Sequence, residues 1–97
     1  MSEEITVTDN AERRRYEVHV GSALAGFADY HAQPGLLTFL HTEVDPAFEG
    51  QGLGSRLAAD ALDDARARGL QVLPICPFVR AYVRRHPEYR DLVAPGG

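Results

Sequence analysis

Three glycines at alternate positions carry the clearest chemical signal in the chain. Gly50, Gly52 and Gly54 stand between an apolar segment that ends at Val44 and an amphipathic segment that follows at once. Because glycine has no Cβ, the backbone N–H groups of such a loop can turn toward one point and approach an anion closely. A helix that starts there adds unpaired N–H donors and the positive end of its dipole. We therefore predict a phosphate-binding loop over residues 44–57.

The spacing in this loop argues against the two commonest phosphate motifs. A P-loop places a lysine before the Ser or Thr that follows its last glycine, but Ser55 follows Gly54 directly and all ten basic residues are arginine. A dinucleotide fingerprint requires G-x-G-x-x-G and an acidic residue about 20 positions later at a strand end. The chain meets neither requirement, so a different phosphate loop is expected.

A second reactive group is the single cysteine, Cys76, which precedes Pro77. Proline fits the first position of a helix, which puts the thiol at or near the N-cap. A helix N-terminus can acidify a thiol there and make it a nucleophile. The alternative is a small buried apolar residue, as most free cysteines are.

Alternation of apolar and polar residues predicts the strands that position these groups. The first two strands form a hairpin marked by Ile5, Val7, Tyr16, Val18 and Val20. A third strand over residues 23–33 is separated from a fourth over residues 36–44 by the turn residues Pro34 and Gly35. The fourth strand is mostly apolar on both faces, which is typical of the middle of a sheet.

Two helices and one more strand complete the pattern. The first helix has an apolar stripe formed by Leu53, Leu57, Ala61, Leu62 and Ala65. Gly69 is expected just beyond its end, and residues 70–75 form a fifth strand that a helical crossover makes parallel to the fourth. The last helix starts at Pro77 and ends before Pro87. The resulting order is ββββαβα, an α/β class in the sense of an α+β sheet with flanking helices.

Composition limits the setting in which the chain works. Its 97 residues are 44% hydrophobic and predict one domain over residues 1–97, with a frayed tail at 94–97. The lone cysteine suits a reducing compartment, and no apolar run approaches a membrane span, so we predict a cytoplasmic protein without a membrane partner. A net charge of −4 makes nucleic acid an unlikely partner, although residues 13–15 form a basic run. No metal site is predicted.

Two segments, VDPAFEGQGLGSRL at 44–57 and CPFVRAYVRRHPEY at 76–89, resemble the short single-domain branch of the GNAT superfamily of N-acetyltransferases. The loop signature of that family is Arg or Gln, two residues, Gly, one residue, then Gly or Ala. Glu49, Gly52 and Gly54 occupy those places, so Glu49 departs from the pattern. The resemblance covers residues 5–93 and implies a minimal GNAT-like fold without the two helices usually found between its first and second strands.

The same resemblance implies acetyl-coenzyme A as co-substrate. Its pyrophosphate would lie on the glycine loop, and its pantetheine arm would enter a splay between the parallel fourth and fifth strands and pair with Val44 like an added strand. The residues expected to hold it are Val44, Gly50, Gln51, Gly52, Leu53, Gly54 and Ser55.

Acetyl transfer from this donor needs a base and a proton donor for the departing thiolate. His41 and Glu43 share one face of the fourth strand, and either could accept the amine proton; the alternatives are a sheet histidine and a surface carboxylate. Cys76 could take part in the chemistry or serve in the core. Tyr82 aligns with the family tyrosine that protonates the thiolate, although its place on an apolar stripe also suits core packing.

We predict an N-acetyltransferase that moves an acetyl group to a primary amine, which could be a lysine side chain, a protein N-terminus or a small amine. Direct attack and a relay through an acetylated Cys76 are both open mechanisms. A coenzyme A-binding sensor or partner module with little turnover is the alternative function. A nucleic-acid adaptor that uses residues 13–15 and 84–90 is a third. The oligomeric state and the acceptor are not determined by these patterns.

Overall fold

The computed structural model describes residues 3–95. Its strands are β1 (Ile5–Asn10), β2 (Arg15–Val20), β3 (Ala23–Gln33), β4 (Leu36–Val44) and β5 (Gln71–Pro74), and its α-helices are α1 (Leu53–Ala67) and α2 (Pro77–Arg85). Short 3-10 helices at Pro46–Phe48 and Pro87–Leu92 were not predicted from the sequence patterns. The predicted order ββββαβα is confirmed.

The five strands form one mixed sheet in the order β1-β2-β3-β4-β5. The first three pairings are antiparallel, and β4 pairs with β5 in parallel, as the helical crossover through α1 predicts. β4 therefore lies between two strands, but only its first half is buried on both faces, at Leu37, Thr38 and Phe39. The second half, from Leu40 onward, is largely exposed because β5 no longer accompanies it.

A bulge in β4 decides which side chains face the helices. Phe39 pairs with Tyr30 and His41 pairs with Asp29, so Leu40 has no partner in β3. An extra residue of this kind reverses the alternation of side chains along a strand. His41 and Glu43 consequently lie on the face opposite to Phe39.

Both helices pack on one face of the sheet and bury its core there. The core joins residues of β2, β4, α1 and α2, including Tyr16, Val18, Phe39, Leu57, Leu62, Val79 and Val83. On this face the Tyr16 hydroxyl donates to Asp64 Oδ2 at 2.7 Å, and Arg68 Nη2 contacts both Asp64 Oδ2 and Asp9 Oδ2 at 2.8 Å. These bonds fix the last turn of α1 against the hairpin. Neither helix within residues 3–95 is long and apolar enough to cross a bilayer.

The end of α1 shortens the strand that follows it. Gly69 has a positive φ of 71°, its N–H donates to Arg66 and the Leu70 N–H donates to the Ala65 carbonyl oxygen at 2.9 Å. This is a Schellman cap, and it uses the amide of Leu70. β5 therefore begins at Gln71 rather than at residue 70, and it ends at Pro74 rather than at Ile75.

The predicted frayed tail falls partly outside the described residues, at Gly96 and Gly97. Within them, the Ala94 N–H donates to the Val72 carbonyl oxygen at 2.9 Å, and Val93 forms a bridge to Val72. Ala94 is thus attached to the sheet beside β5.

Every tyrosine of the chain is held in its protonated form, which makes the fold sensitive to alkali. Burial and then the hydrogen bond to Asp9 raise the pKa of Tyr30 to about 12, and burial also raises the pKa values of Tyr16, Tyr82 and Tyr89. The unfolded chain ionises near pH 10, so the stability that these groups contribute below pH 10 is lost as the pH rises through their folded values.

We expect the tyrosinate absorbance of Tyr16, Tyr30 and Tyr89 to appear only together with loss of circular dichroism, well above pH 10. In urea the same absorbance should rise near pH 10. A gradual rise near pH 10 in a protein that keeps its dichroism would contradict this picture, and Tyr30→Phe should weaken the pH dependence because its ring cannot ionise.

Candidate functional site

The parallel strands separate at one point and leave a gap beside β4. Their pairing ends where Phe39 meets Pro74, and the Cys76 N–H closes it with a bond to the Phe39 carbonyl oxygen at 2.8 Å. Beyond this point β4 continues to Val44 with no described strand on that side. The predicted splay is confirmed, and it leaves a free strand edge.

The glycine loop presents a set of unused backbone donors at the end of that edge. Asp45 accepts a bond from the Ala47 N–H at 2.9 Å and starts the first 3-10 helix, after which Gly50 and Gly52 adopt positive φ angles of 84° and 69°. Among residues 3–95, no acceptor receives a hydrogen bond from the backbone N–H groups of residues 50–55. The next amide along the chain, that of Arg56, does have a partner, since it donates to the Gly52 carbonyl oxygen.

The N-terminus of α1 has no internal compensation for its charge. Its N-cap is Gly52, which offers no side-chain acceptor, and the first turn contains no acidic residue. Unpaired N–H groups and the positive end of a helix dipole favour an anion at such a terminus. The local geometry thus fits the predicted phosphate loop.

Gly54 serves a different purpose from its two neighbours. A Cβ at this position would lie 2.7 Å from Phe78 Cζ, so the ring of Phe78 lies over the start of α1 where a side chain at residue 54 would displace it. From the sequence alone, all three glycines are expected to expose backbone amides. For Gly54 that explanation is incomplete, because the residue also lets the Phe78 side chain lie over the start of α1.

A cleft of about 240 Å³ joins the free edge of β4 to the loop. It is lined by Val44, Phe48, Glu49, Gly50, Gly52, Leu53, Gly54, Ser55 and Phe78. Six of the seven predicted cofactor residues line it, and Gln51 does not. Phe48 and Phe78 were missed; an exposed aromatic residue directly after the helix-starting Pro77 was the available signal for Phe78.

His41 and Glu43 form a pair on the face of the sheet opposite the helices. His41 Nε2 lies 2.9 Å from Glu43 Oε1, and the two side chains are 56% and 61% exposed. The same face carries Phe27, which pairs with Glu17 in β2 and with Glu43 in β4. We call this the open face, since both described helices lie on the other side. An exposed imidazole held by a carboxylate is suited to accept a proton.

One residue of the basic run at 13–15, Arg15, contacts side chains on the open face. Arg15 Nε donates to Glu17 Oε2 at 2.8 Å, and its guanidinium lies 4.6 Å from the centre of the Phe27 ring. Burial by itself would raise the pKa of Glu17, but hydrogen bonds from Arg15 and Asn10 outweigh that effect and hold the pKa below its ordinary value. Arg15 is therefore engaged within the sheet, which weakens the case for a nucleic-acid surface at this run.

Cys76 is the N-cap of α2, as predicted, but it is only 2% exposed. Its Sγ lies 3.3 Å from Thr42 Oγ1 on the helix side of β4. Thr42 was not singled out from the sequence, and a threonine between His41 and Glu43 gave no distinctive signal. The thiol is a core group at the splay rather than an open one.

Tyr82 lies apart from the His41–Glu43 pair. Its ring stacks on His86 with centroids 4.1 Å apart, and it borders a small cleft of about 110 Å³ together with Ser55, Phe78 and Arg85. Burial, assisted by nearby carboxylates, raises the pKa of Tyr82. The tyrosine therefore keeps its proton at neutral pH and faces the start of α1.

The mixed sheet, its splay and the two helices are those of a minimal GNAT fold. The family model described as GCN5-related N-acetyl-transferase matches residues 15–92. The chain belongs to this family of N-acetyltransferases, and it is an acyltransferase enzyme.

Individual relatives agree with that assignment. Protein NATD1 of Xenopus tropicalis is 28% identical over 98 residues, which cover 97% of this chain and 90% of the relative. Protein NATD1 of Mus musculus is 26% identical over 95 residues, which cover 94% and 86%.

Two solved structures are similar in fold. A GCN5-like protein of Staphylococcus aureus has a TM-score of 0.68 at 19% identity, over 96% of this chain and 89% of its own. The ribosomal-protein-S18-alanine N-acetyltransferase of Escherichia coli has a TM-score of 0.58 at 25% identity, over 63% of this chain. The match spans 41% of that longer enzyme.

The contact between Gly54 and Phe78 can be tested by a double-mutant cycle. Gly54→Ala should change the free energy of unfolding by less than about 1 kcal/mol, because displacement of the exposed Phe78 ring offsets much of the gain in helix propensity. With Phe78→Ala the same change should be neutral or stabilising, since alanine is the better helix former by about 1 kcal/mol. Urea unfolding of the four proteins gives the coupling, and additive effects would show that the two residues do not oppose each other.

Proposed function

We propose that this enzyme binds acetyl-coenzyme A at the glycine loop and transfers its acetyl group to a primary amine. The observation that carries the proposal is the row of six unused amides at residues 50–55, directly beside the free edge of β4. Family membership supports an acetyl donor of this kind.

The backbone would supply most of the affinity for the pyrophosphate. Each charge-assisted N–H bond contributes about 1.5–3 kcal/mol. A carboxylate about 6 Å from a phosphate charge costs roughly 3 kcal/mol at an effective dielectric constant of about 20, and below about 1 kcal/mol when it points into water. Glu49 lines the cleft but is exposed, so the smaller cost applies. Several donors outweigh it, and Val44 offers its free edge to the pantetheine arm.

The chemistry follows from the groups on the two sides of the splay. His41 donates its Nε2–H to Glu43, and its Nδ1 takes a proton from the acceptor ammonium, either directly or through water. The free amine nitrogen then attacks the thioester carbonyl carbon, so that a C–N bond forms and the C–S bond breaks. The departing thiolate takes a proton from Tyr82, on the side of Ser55. The nitrogen of the new amide loses its surplus proton to water, and water returns a proton to Tyr82.

The burial of Cys76 favours direct transfer over a relay. Its thiol is 2% exposed and in contact with Thr42, so an acetyl group on Sγ would need space that the core does not offer. We assign Cys76 to the support of the splay and keep the acetyl-cysteine route as the second mechanism. The free, buried thiol also supports our proposal of a reducing compartment such as the cytoplasm.

Ser55 allows a direct test of the phosphate loop. Ser55→Asp places a carboxylate at the cleft and should weaken acetyl-coenzyme A binding about 10- to 100-fold through charge repulsion. The same charge in the first turn of α1 should raise stability by about 0.3–1 kcal/mol. Ser55→Asn is the uncharged control of equal size. Calorimetric titration and thermal unfolding measure the two effects, and unchanged binding in Ser55→Asp would remove the loop from the cofactor site.

The catalytic roles are separated by His41→Gln and Cys76→Ser. The first should lower kcat about 100-fold or more with acetyl-coenzyme A binding intact, because the base is lost. The second should keep most of the turnover, since serine can still bond to Thr42. Thiol release is followed with a panel of primary amines. Loss of turnover in Cys76→Ser with binding intact would support the relay, and binding without any turnover in the unmodified enzyme would indicate a coenzyme A-binding module.

A further inference from the structure

A second cleft lies at the end of the open face, on the other side of β4 from the glycine loop. It has a volume of about 250 Å³ and is formed where the start of β3 meets the end of β4. Its lining includes Leu24, Phe27, Glu43, Val44, Asp45 and Pro46. Val44 also lines the cleft at the loop, so one residue separates the two spaces.

This cleft is connected to the proposed base. Glu43 borders it and is bonded to His41 at 2.9 Å, so a molecule seated there lies beside the group that takes the amine proton. Neither α-helix covers this side of the sheet, because both pack on the opposite face. An acceptor can therefore approach β4 from the open face while the donor occupies the splay side.

The lining combines two carboxylates with apolar walls. Glu43 and Asp45 are exposed at the cleft, and none of the residues that line it is basic. The Arg15 guanidinium lies against Phe27, but it is paired with Glu17 at 2.8 Å. Leu24 is 40% exposed, although it is a large apolar residue, and it lines the cleft together with Phe27, which is half-buried and carries the Arg15 guanidinium 4.6 Å from its ring centre. Carboxylates attract an ammonium group, whereas leucine and phenylalanine favour an apolar group attached to it.

We propose that this cleft is the acceptor site and that it selects a primary ammonium group carrying an apolar substituent of about the size of a benzyl group. The inference rests on the proposed function, since it names the class of amine that the same reaction consumes. Asp45 attracts the charge, Leu24 and Phe27 hold the apolar group, and Glu43 presents the nitrogen to His41.

Two substitutions separate these contributions. Asp45→Asn removes the charge but keeps an oxygen that can accept from the Ala47 N–H, so the first 3-10 helix keeps its N-terminal hydrogen bond. It should raise the KM for cationic amines about two- to fivefold with little change in kcat, and salt should reduce the difference. Leu24→Ser should lower kcat/KM about fivefold for an amine with an apolar substituent. Glu12→Gln is the control for net charge, because Glu12 lies in the turn between β1 and β2, at the other end of β2.

The probes are 2-phenylethylamine, ethanolamine and a short peptide with N-terminal phenylalanine. We expect 2-phenylethylamine to exceed ethanolamine about tenfold in kcat/KM, and Leu24→Ser to remove most of that preference. The peptide distinguishes a polypeptide N-terminus from a small amine as the source of the ammonium group. Equal use of the first two amines, or unchanged selectivity in Leu24→Ser, would overturn the proposal.

A binding measurement keeps this test independent of turnover. Titration of the protein alone with 2-phenylethylamine should shift the amide resonances of Leu24, Phe27 and Glu43, and Asp45→Asn should weaken the shifts. If the resonances shift but acetyl-coenzyme A does not bind, the cleft is an amine-binding site and the proposed transferase function is wrong. If thiol release is normal but the resonances do not shift, the transferase function stands and this cleft is not the acceptor site.

Discussion

The functional arrangement depends on one physical constraint: the first turn of α1 has backbone donors that nothing in the described chain satisfies. Buried or half-buried N–H groups normally find partners, and most helices use a side chain at the N-cap for this purpose. Here Gly52 takes that position without a side-chain acceptor, and no carboxylate enters the first turn. The helix is left with an uncompensated positive end, which an external anion can stabilise.

That terminus is useful only because the rest of the fold holds it beside a free strand edge. Tyr16 and Arg68 attach the far end of α1 to the hairpin through Asp64 and Asp9. Gly54 lets Phe78 cover the near end. Because both ends of α1 are fixed, the N–H groups of the loop stay in one position relative to the free edge of β4. Little ordering is therefore required when a ligand binds.

The bulge at Leu40 places neighbouring polar side chains of β4 on opposite faces of the sheet. Without it, His41 would continue the row of Leu37 and Phe39 and would point into the core. With it, Thr42 meets Cys76 on the helix side, while His41 and Glu43 reach the open face. A single strand thus contributes to the support of the splay, to the proposed proton transfer and to the wall between two clefts.

The amino-acid sequence by itself determined the element order, the bounds of β3 and β4, the glycine-rich helix start and the Gly69 cap, because these depend on local periodicity and on backbone freedom. It also placed His41 and Glu43 on a common face, since that relation needs only a spacing of two. It did not determine which face, because an unpaired residue in β4 becomes visible only when β3 supplies the register. The burial of Cys76, its contact with Thr42, the reason for a glycine at position 54 and the cleft at Leu24 and Asp45 were likewise decided by tertiary structure. Each of these features depends on contacts between residues that are distant in the chain, and a local sequence pattern does not indicate which distant side chains will be in contact.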